Sequence, residues 1–363
     1  MSRISKLGAL HSIHLIFRRS KTAKRELNEK IRAIDCKKLS DEQNREIDLF
    51  WKGIRIDKRY LSFYNTIHSG KFDSRYIPDN IYYRFIDLFY NNALKAYFLS
   101  DKNIMELYLS DFSMPKTIAR KMNGLYLDKF FQKISKEQVV SMCYGNKIVI
   151  KKSVESCGGH GVFVCKPECT KDEISNILDK FEDCVIQEYF KQHNESSNLH
   201  ENSVNTIRIT TFCDKEGNVK VLAPIIRIGI GDSCVDNASS GGVFCGIHAD
   251  GHLMSKAYFS SGAEYRLIPN GKPLEHHSIP NFEQCKNLVK KAALRFATTS
   301  RLLSWDIAID EDGNPAIIEV NLSYGSLYTQ QITHGPIFGD DTKEILDEVF
   351  SRKIYRIINR LFG

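Results

Sequence analysis

The amino-acid sequence predicts an α+β protein in which a helical N-terminal region precedes units that contain strands. Two observations support this class. Residues 1–100 contain helical apolar patterns and a helix-capping motif, whereas β-branched strand patterns begin only after about Leu125. The segment 304–321 (SWDIAIDEDGNPAIIEVN) alternates apolar and polar residues on both sides of Asp312-Gly313, which is typical of a β-hairpin.

Length and composition are those of an ordinary globular protein. The chain has 363 residues, which suggests two or three domains, and it is 42% hydrophobic and 26% charged. No stretch reaches the roughly 18 apolar residues of a membrane span. The ten cysteines show no CxxC pair, so we expect free thiols in a reducing compartment. The expected location is the cytoplasm, with peripheral association to the inner membrane as an additional possibility.

Positive charge is concentrated at the N-terminus. The net charge is +7, and residues 1–60 contain 16 basic and 8 acidic side chains, so the rest of the chain is close to neutral. Such a region can dock to polysaccharide enzymes or to an anionic membrane surface, and we expect no nucleic-acid partner. A solvated helix surface is the alternative. In either case this region is expected to lie apart from the chemistry.

Three helices are predicted in the N-terminal region and at its end. Ser40 and Gln43 form a capping-box pattern that opens a helix to about Trp51. The apolar pattern predicts one continuous helix over 79–99, and a further helix begins at 101–110.

Strands and capped helices alternate in the rest of the chain. Capping boxes are predicted at Ser135, Thr170 and Asn281, and a single closing helix over 341–361. A polar loop is expected over 229–242. The predicted strands are 147–152, 162–166, 184–189, 206–213, 219–227, 243–248, 252–257 and the two of the hairpin.

The hairpin has the residues of a cation site. Pairing about Asp312-Gly313 places Asp306 directly opposite Glu319, and Asn321 follows on the same face. Two opposed carboxylates repel each other, and Mg²⁺ bound between them would convert this repulsion into binding. A solvated acidic face is the alternative. The residues expected on the opposite, buried face are Trp305, Ile307, Ile318 and Val320.

A glycine-rich link joins two predicted strands. The segment 156–161 (SCGGHG) is not a P-loop, but backbone amides at such a strand-to-strand tip can close over phosphates. Lys151 and Lys152 end the preceding strand, so a lysine can reach phosphates under this flap. An ordinary glycine-containing turn is the alternative.

These segments, taken together and in order, resemble the ATP-grasp fold. The segments IVIKK, SVESCGGHGVFV, VIQEYF and the hairpin follow its order, and VNTIRITTF and RIGIGDSCVDNASSGGVF are similar to the sugar-transfer-associated ATP-grasp proteins. The resemblance implies an ATP-grasp fold preceded by a helical region. The implied units are residues 1–100, which are helical and basic, residues 101–190, which include a nucleotide-covering subdomain, and residues 191–363, which form the catalytic subdomain.

The resemblance implies ATP and Mg²⁺ as cofactors and assigns roles to individual positions. Arg208 matches a basic residue that neutralises the transferring phosphoryl group. Arg208 and Arg227 lie on adjacent predicted strands, so we expect both in one cleft as catalytic residues, and pairing with neighbouring carboxylates is the alternative. The implied magnesium ligands are Asp306, Glu319 and Asn321. The implied ATP-binding residues are Lys102, Lys151, Ser156, Gly158, Gly159, Gly161, Gln187, Glu188, Tyr189 and His193.

The function implied by the resemblance is ATP-dependent carboxylate–amine ligation through an acyl-phosphate. Proteins of this type occur in polysaccharide biosynthesis, including capsules, so the expected substrates are a sugar or polysaccharide carboxylate and an amine. The polar loop at Asp236, Asn237 and Ser240 is a candidate acceptor site or an ordinary surface loop. Two other classes remain open, a phosphotransferase to a sugar hydroxyl and a non-catalytic nucleotide-binding recruitment protein.

Overall fold

The structure is a computed structural model that describes residues 14, 18, 21–69, 71–154 and 161–362. None of the helices in these ranges has the length and apolar character that a membrane span requires. The nine cysteines that the structure describes are free, as predicted. The domain boundaries proposed at residues 100 and 190 stay predictions.

Helices account for the N-terminal region and the C-terminus. Short 3₁₀ turns lie at 238–240, 269–271, 274–276, 294–296 and 339–341. The helices are α1 (21–33), α2 (Asp41–Phe50), α3 (Arg59–Ile67), α4 (Asp79–Ile81), a π-helical turn (Tyr82–Ile86), α5 (Asp87–Tyr90), α6 (Ala93–Leu99), α7 (Lys102–Tyr108), α8 (Lys136–Cys143), α9 (Lys171–Asp179), α10 (Asn194–Ser197), α11 (Phe282–Ala293), α12 (Tyr328–His334), α13 (Thr342–Phe350) and α14 (Lys353–Phe362).

Twelve strands in the described residues form two antiparallel sheets. They are β1 (Thr117–Met122), β2 (Leu125–Asp128), β3 (Ile148–Lys152), β4 (Val162–Cys165), β5 (Cys184–Glu188), β6 (Ile207–Cys213), β7 (Val219–Ile228), β8 (Val243–Ile247), β9 (Leu253–Tyr258), β10 (Glu264–Tyr265), β11 (Leu302–Ile309) and β12 (Pro315–Asn321). The five-stranded sheet has the order β2-β1-β5-β3-β4, and the seven-stranded sheet has the order β10-β9-β8-β7-β6-β11-β12.

Apolar clusters hold these layers together. One cluster joins the N-terminal helices and the C-terminal helices α13 and α14 to the seven-stranded sheet, through residues such as Phe85, Phe212 and Phe350. A second cluster, centred on Trp305, packs α7 and α11 on the same sheet. The third covers the five-stranded sheet with α8 and α9. The N-terminal helices therefore share a core with the sheet instead of forming a separate body.

Local capping chemistry determines where several helices begin. The capping boxes predicted at Ser40, Ser135 and Thr170 are all formed, with reciprocal bonds between each cap and the third helical residue. The predicted cap at Asn281 is wrong, because its side chain makes no capping bond and Asn281 Nδ2 instead donates to the Gly313 carbonyl at 2.7 Å.

The predicted continuous helices at 79–99 and 341–361 are both interrupted. In the first, Asn91 leaves the helix and is 1% exposed. Its amide nitrogen donates to Asp87 Oδ1 and the Leu302 carbonyl, both at 2.8 Å, and its oxygen accepts from the Leu302 amide at 3.1 Å. In the second, α13 ends at Phe350 and α14 begins at Lys353, so that both helices reach one core.

Asn91→Ala is expected to lower the free energy of unfolding by about 2–4 kcal/mol, because Asp87 and both backbone groups of Leu302 would lose buried partners. Urea unfolding measures this change. Asn92→Ala is the matched control: Asn92 caps α6 from an exposed position, so its loss should cost about 1 kcal/mol. Equal losses in both variants would contradict the role given to Asn91.

The hairpin is formed, and Asp306 pairs with Glu319 as predicted, but its turn differs. Asp310 and Asn314 close the loop, with Gly313 at φ 87°, so the turn is longer than the two residues expected. A β-bulge then shifts the register between Asp306 and Ile307, where Ile318 is the extra residue. The prediction of a buried Ile318 is wrong, because the bulge leaves it half-buried.

Candidate active site

A cavity of about 1060 Å³ lies between the two sheets and helix α1. Its volume matches the pockets that hold nucleotide-sized ligands. The five-stranded sheet contributes Lys151 and a group of valines, and the seven-stranded sheet contributes charged side chains. Apart from helix α1, the charged and amide side chains that line the cavity come from the two sheets, from α7 and from the 229–242 loop, and they are Lys102, Lys151, Glu188, Arg208, Arg227, Asp236, Asn237, Asp306, Glu319 and Asn321.

Three of these side chains form a row across adjacent strands. Arg208 on β6 pairs in register with Asp306 on β11, which pairs with Glu319 on β12. Residues directly opposite on neighbouring strands project from the same face of a sheet. The strand register therefore brings one guanidinium and two carboxylates to the cavity without any loop.

Asp306 is the centre of the charged cluster. Its Oδ1 accepts from Arg208 Nε at 2.9 Å, its Oδ2 accepts from Arg208 Nη2 at 2.8 Å, and Arg227 Nη2 lies 3.1 Å from the same Oδ2. Burial would raise the pKa of Asp306, but the two guanidinium groups outweigh burial and lower it. Asp306 is therefore held as a carboxylate that orients both arginines.

Arg227 is held by a second set of partners, from the 229–242 loop and from the residue that precedes β6. Arg227 Nη1 donates to Asn237 Oδ1 at 3.0 Å, and Nε donates to Thr206 Oγ1 at 2.9 Å. Asp236 Oδ2 accepts from the Thr206 amide at 2.9 Å and lies 3.4 Å from Arg227 Nε. Burial raises the pKa of Asp236, although Arg227 opposes that shift. Thr206, which the sequence analysis missed, thus links the predicted Asp236 and Arg227.

Two lysines, one at the start of α7 and one on β3, lie in the same cavity as Asp306 and Glu319. Lys102, at the start of α7, places Nζ 3.0 Å from Glu319 Oε1. Burial lowers the pKa of Lys151 to about 8, a shift that Lys102 reinforces and Glu319 opposes. Four cations of the lining, Lys102, Lys151, Arg208 and Arg227, thus lie in one cavity with four carboxylates, Glu188, Asp236, Asp306 and Glu319. These two lysines and two arginines are groups of this lining that can bind the phosphates of a polyanionic ligand.

A protein-family model matches most of the chain. The model of the sugar-transfer associated ATP-grasp family matches residues 82–345, which is more than half of the chain. The chain belongs to this family. No curated protein matches the chain in sequence.

Solved structures are similar to this family member at low identity. The biotin carboxylase domain of 2-oxoglutarate carboxylase from Hydrogenobacter thermophilus is 17% identical, with a TM-score of 0.42 over 70% of this chain and 46% of that chain. N5-carboxyaminoimidazole synthetase from Staphylococcus aureus is 10% identical, with a TM-score of 0.37 over 62% and 45%. L-amino acid ligase from Bacillus licheniformis is 14% identical, with a TM-score of 0.41 over 69% and 47%. The chain thus spans less than half the length of these structures.

The magnesium ligands expected for this ATP-grasp protein lie together. Glu319 and Asn321 line the cavity on β12, and Asp306 is beside Glu319. In the described residues, no cluster of three or more His, Cys, Asp or Glu side chains is arranged to hold a metal ion. Two carboxylates and an amide fit Mg²⁺ when substrate phosphates complete its oxygen ligands. Asp306 already accepts from two arginines, so Glu319 and Asn321 are the more accessible donors.

Several predicted nucleotide contacts differ from expectation. Glu188 and Tyr189 line the cavity beside valines of β3 and β4. The Gln187 side chain does not reach it, because Gln187 is buried and its Nε2 donates to the Pro115 carbonyl at 3.3 Å. His193 also lies off the cavity, where its Nδ1 accepts from the Glu195 amide and caps α10. Neither side chain lines the cavity, and a nucleotide contact by Gln187 or His193 stays a prediction.

The candidate residues of the glycine-rich link and of the 229–242 loop differ in where the structure places them. Ser156, Gly158 and Gly159 lie outside the described residues. Gly161 has φ 82°, and a Cβ there would approach Lys152 Cβ to 3.0 Å, so its backbone position requires glycine. Asp236 and Asn237 line the cavity, whereas Ser240 is exposed and does not, and the acceptor site at these three residues stays a prediction.

The sequence analysis missed the wall formed by helix α1 and the tyrosines. Thr22 and Glu26 of α1 line the cavity, together with Tyr83, Tyr324 and Tyr328. Helix α1 of the N-terminal region therefore reaches the cavity, whereas the sequence analysis expected this region to lie apart from the site. The available signal was the polar segment after Asn321, which carries two of these tyrosines, whereas nothing local indicates Glu26.

Proposed function

We propose that this protein is an ATP-dependent carboxylate–amine ligase that acts through an acyl-phosphate. The observation that carries the proposal is the row of Arg208, Asp306 and Glu319 across three strands, faced by Lys102 and Lys151 in one cavity. Phosphoryl transfer to a carboxylate needs neutralisation of several negative charges at one point. This arrangement of cations supports that chemistry.

In this proposal, ATP occupies the side of the cavity formed by the five-stranded sheet. Val149, Val162 and Val164 present apolar surface for the base, beside Glu188 and Tyr189. Lys102 and Lys151 contact the phosphates. Glu319 and Asn321, with Asp306, are the proposed Mg²⁺ ligands. When bound there, Mg²⁺ supplies charge neutralisation and alignment of the phosphate oxygens.

The proposed reaction has two steps. The γ-phosphoryl group moves to a substrate carboxylate oxygen, and ADP leaves. An amine nitrogen then attacks the carbonyl carbon, phosphate leaves with that oxygen, and the nitrogen loses a proton. Arg208 and Arg227, oriented by Asp306, hold the carboxylate and stabilise the charge of the acyl-phosphate.

The family membership suggests the substrate class. Because the family is associated with sugar transfer, we propose that one substrate is a carboxylate on a sugar or polysaccharide, or an amino acid to be attached to one. The setting would be surface polysaccharide biosynthesis, including capsules, in the cytoplasm. Such a substrate and its amine are the partners that the cavity would bind.

Heavy-oxygen labelling tests the proposed chemistry. The protein is first screened for ADP release with MgATP and combinations of uronic acids and amines. The active carboxylate, labelled with heavy oxygen, should then pass one labelled atom to the released phosphate, because its oxygen bridges to phosphorus in the acyl-phosphate. Unlabelled phosphate would exclude this mechanism, and phosphate retained on a sugar hydroxyl would indicate a phosphotransferase.

A further inference from the structure

The cavity extends beyond the charged cluster to helix α1. At this end, Glu26 of α1 lines it together with Tyr83 of the π-helical turn and Tyr328 of α12. None of these three residues has a role in the ATP and Mg²⁺ binding proposed above. They form a wall with one carboxylate and two aromatic rings, and we define Glu26, Tyr83 and Tyr328 as the α1 subsite.

A buried ion pair fixes the α1 subsite in place. Lys30 Nζ lies 2.8 Å from Asp79 Oδ2, and both side chains are less than a tenth exposed. Lys30 Nζ also lies 3.6 Å from the centre of the Tyr328 ring. Helix α1 is thereby tied to both α4 and α12. Glu26 is four residues before Lys30, one turn along the same helix face, and so its position is determined by the same contacts.

Glu26 has no ion-pair partner among the residues that the structure describes. Burial raises its pKa, Lys30 opposes that shift and Asp79 adds to it. Lys30 is bound to Asp79, so the local group of Glu26, Asp79 and Lys30 carries one excess negative charge. Arg18 also lines this end, but its side chain is exposed to solvent whereas Glu26 is half-buried. A half-buried carboxylate of this kind favours a cationic ligand.

The α1 subsite adjoins the charged cluster of the active site. Helix α12, which carries Tyr328, is joined to the strand that carries Arg208, because Gln330 Nε2 donates to Thr210 Oγ1 of β6 at 3.0 Å. Tyr328, the neighbouring Thr329 and Arg208 all line the cavity. A ligand held at Glu26 therefore shares one cavity with the position proposed for the acyl-phosphate.

We propose that the α1 subsite binds the acceptor amine of the ligation, with Glu26 holding its ammonium group and the tyrosines contacting its body. This inference rests on the proposed function. Tyrosine offers a flat apolar face and a polar hydroxyl, which suits a hydroxylated ring better than a plain alkyl chain. The ligand class is therefore a primary amine on a ring of sugar size. Glu26 has a binding and orienting role: it holds the ammonium form, which releases one proton to solvent before the neutral nitrogen attacks the acyl-phosphate and a second proton once the amide bond has formed.

Equilibrium binding tests the α1 subsite without turnover. Glucosamine is titrated into the full chain with MgADP present, and N-acetylglucosamine serves as the uncharged probe. We expect glucosamine to bind, and Glu26→Gln to weaken its binding by about 10- to 100-fold through loss of a charge-assisted contact. N-acetylglucosamine should bind weakly to both proteins. Glu29→Gln is the matched control, because Glu29 is exposed on the same helix, and it should bind glucosamine like the wild type.

Absence of glucosamine binding by the wild type, or equal affinity in Glu26→Gln, would overturn the α1 subsite. Thermal unfolding of each variant establishes that its fold is retained. Trapping with hydroxylamine distinguishes failure of the α1 subsite from failure of the ligase proposal. Hydroxylamine attacks an acyl-phosphate directly and does not need to bind at the α1 subsite. With MgATP and glucuronate or galacturonate, Glu26→Gln should lose far less hydroxamate formation than amine affinity. Equal loss of both would place Glu26 in phosphoryl transfer and overturn its amine-binding role, whereas no hydroxamate from the wild type would count against the ligase alone.

Discussion

Glu319→Gln is expected to lower Mg²⁺-dependent ADP release by at least about a hundredfold while the fold is retained. Glutamine conserves the side-chain volume but removes the charge that we propose Mg²⁺ requires. Glu319 also pairs with Lys102 at 3.0 Å, but its side chain is about a third exposed, so losing this ion pair should have a small effect on stability. ADP release measured against Mg²⁺ concentration gives the effect.

The matched control for this variant is Glu311→Gln. Glu311 lies in the loop of the same hairpin, is exposed and has Lys191 as its ion-pair partner, at 3.5 Å. Its replacement removes the same charge outside the cavity, so Mg²⁺ dependence should match the wild type. A Glu319→Gln protein with wild-type turnover at every Mg²⁺ concentration would remove the metal assignment.

Arg208→Ala is expected to bind MgATP almost normally but to form product about 10²–10³ times more slowly. The guanidinium makes two bonds to Asp306, and its loss leaves that buried carboxylate with Arg227 alone. Some loss of stability is therefore expected as well. Nucleotide binding by calorimetry and product formation by ADP release separate the two effects.

Two further variants make the Arg208 result interpretable. Arg208→Lys keeps the charge but loses the two-bond geometry, so it should stabilise the fold relative to the alanine variant yet remain slow. Arg295→Ala removes an exposed arginine that pairs with Asp111 outside the cavity, and it should be fully active. Product formation at the wild-type rate by Arg208→Ala would exclude Arg208 from the chemistry.

Arg208 has an anionic partner within the protein. The sequence analysis gave it a role at the transferring phosphoryl group, with pairing to a neighbouring carboxylate as the alternative. In the structure, Asp306 provides two bonds to Arg208 from the neighbouring strand. The assignment of Asp306 as a simple metal ligand therefore changes, since it also holds the two arginines in position.

Local chemistry in the sequence was sufficient to predict much of the fold. The capping boxes at Ser40, Ser135 and Thr170 depend on residues only three positions apart, and the hairpin depends on alternation within 18 residues. The pairing of Asp306 with Glu319 was predicted correctly although the loop is longer than expected. The bulge at Ile318 compensates for the shifted turn, so the two deviations cancel at these carboxylates.

Tertiary structure decided everything that depends on partners distant in the chain. Asn91 interrupts a helical pattern because Leu302, 211 residues away, satisfies its side chain. Gln187 turns from the cavity because the Pro115 carbonyl accepts its amide hydrogen. Glu26 reaches the cavity because Lys30 and Asp79, 49 residues apart, join α1 to α4. The local sequence pattern indicates helix or strand propensity and strand register. The direction in which a buried polar side chain points depends instead on its hydrogen-bond partner, and for these residues that partner is distant in the chain.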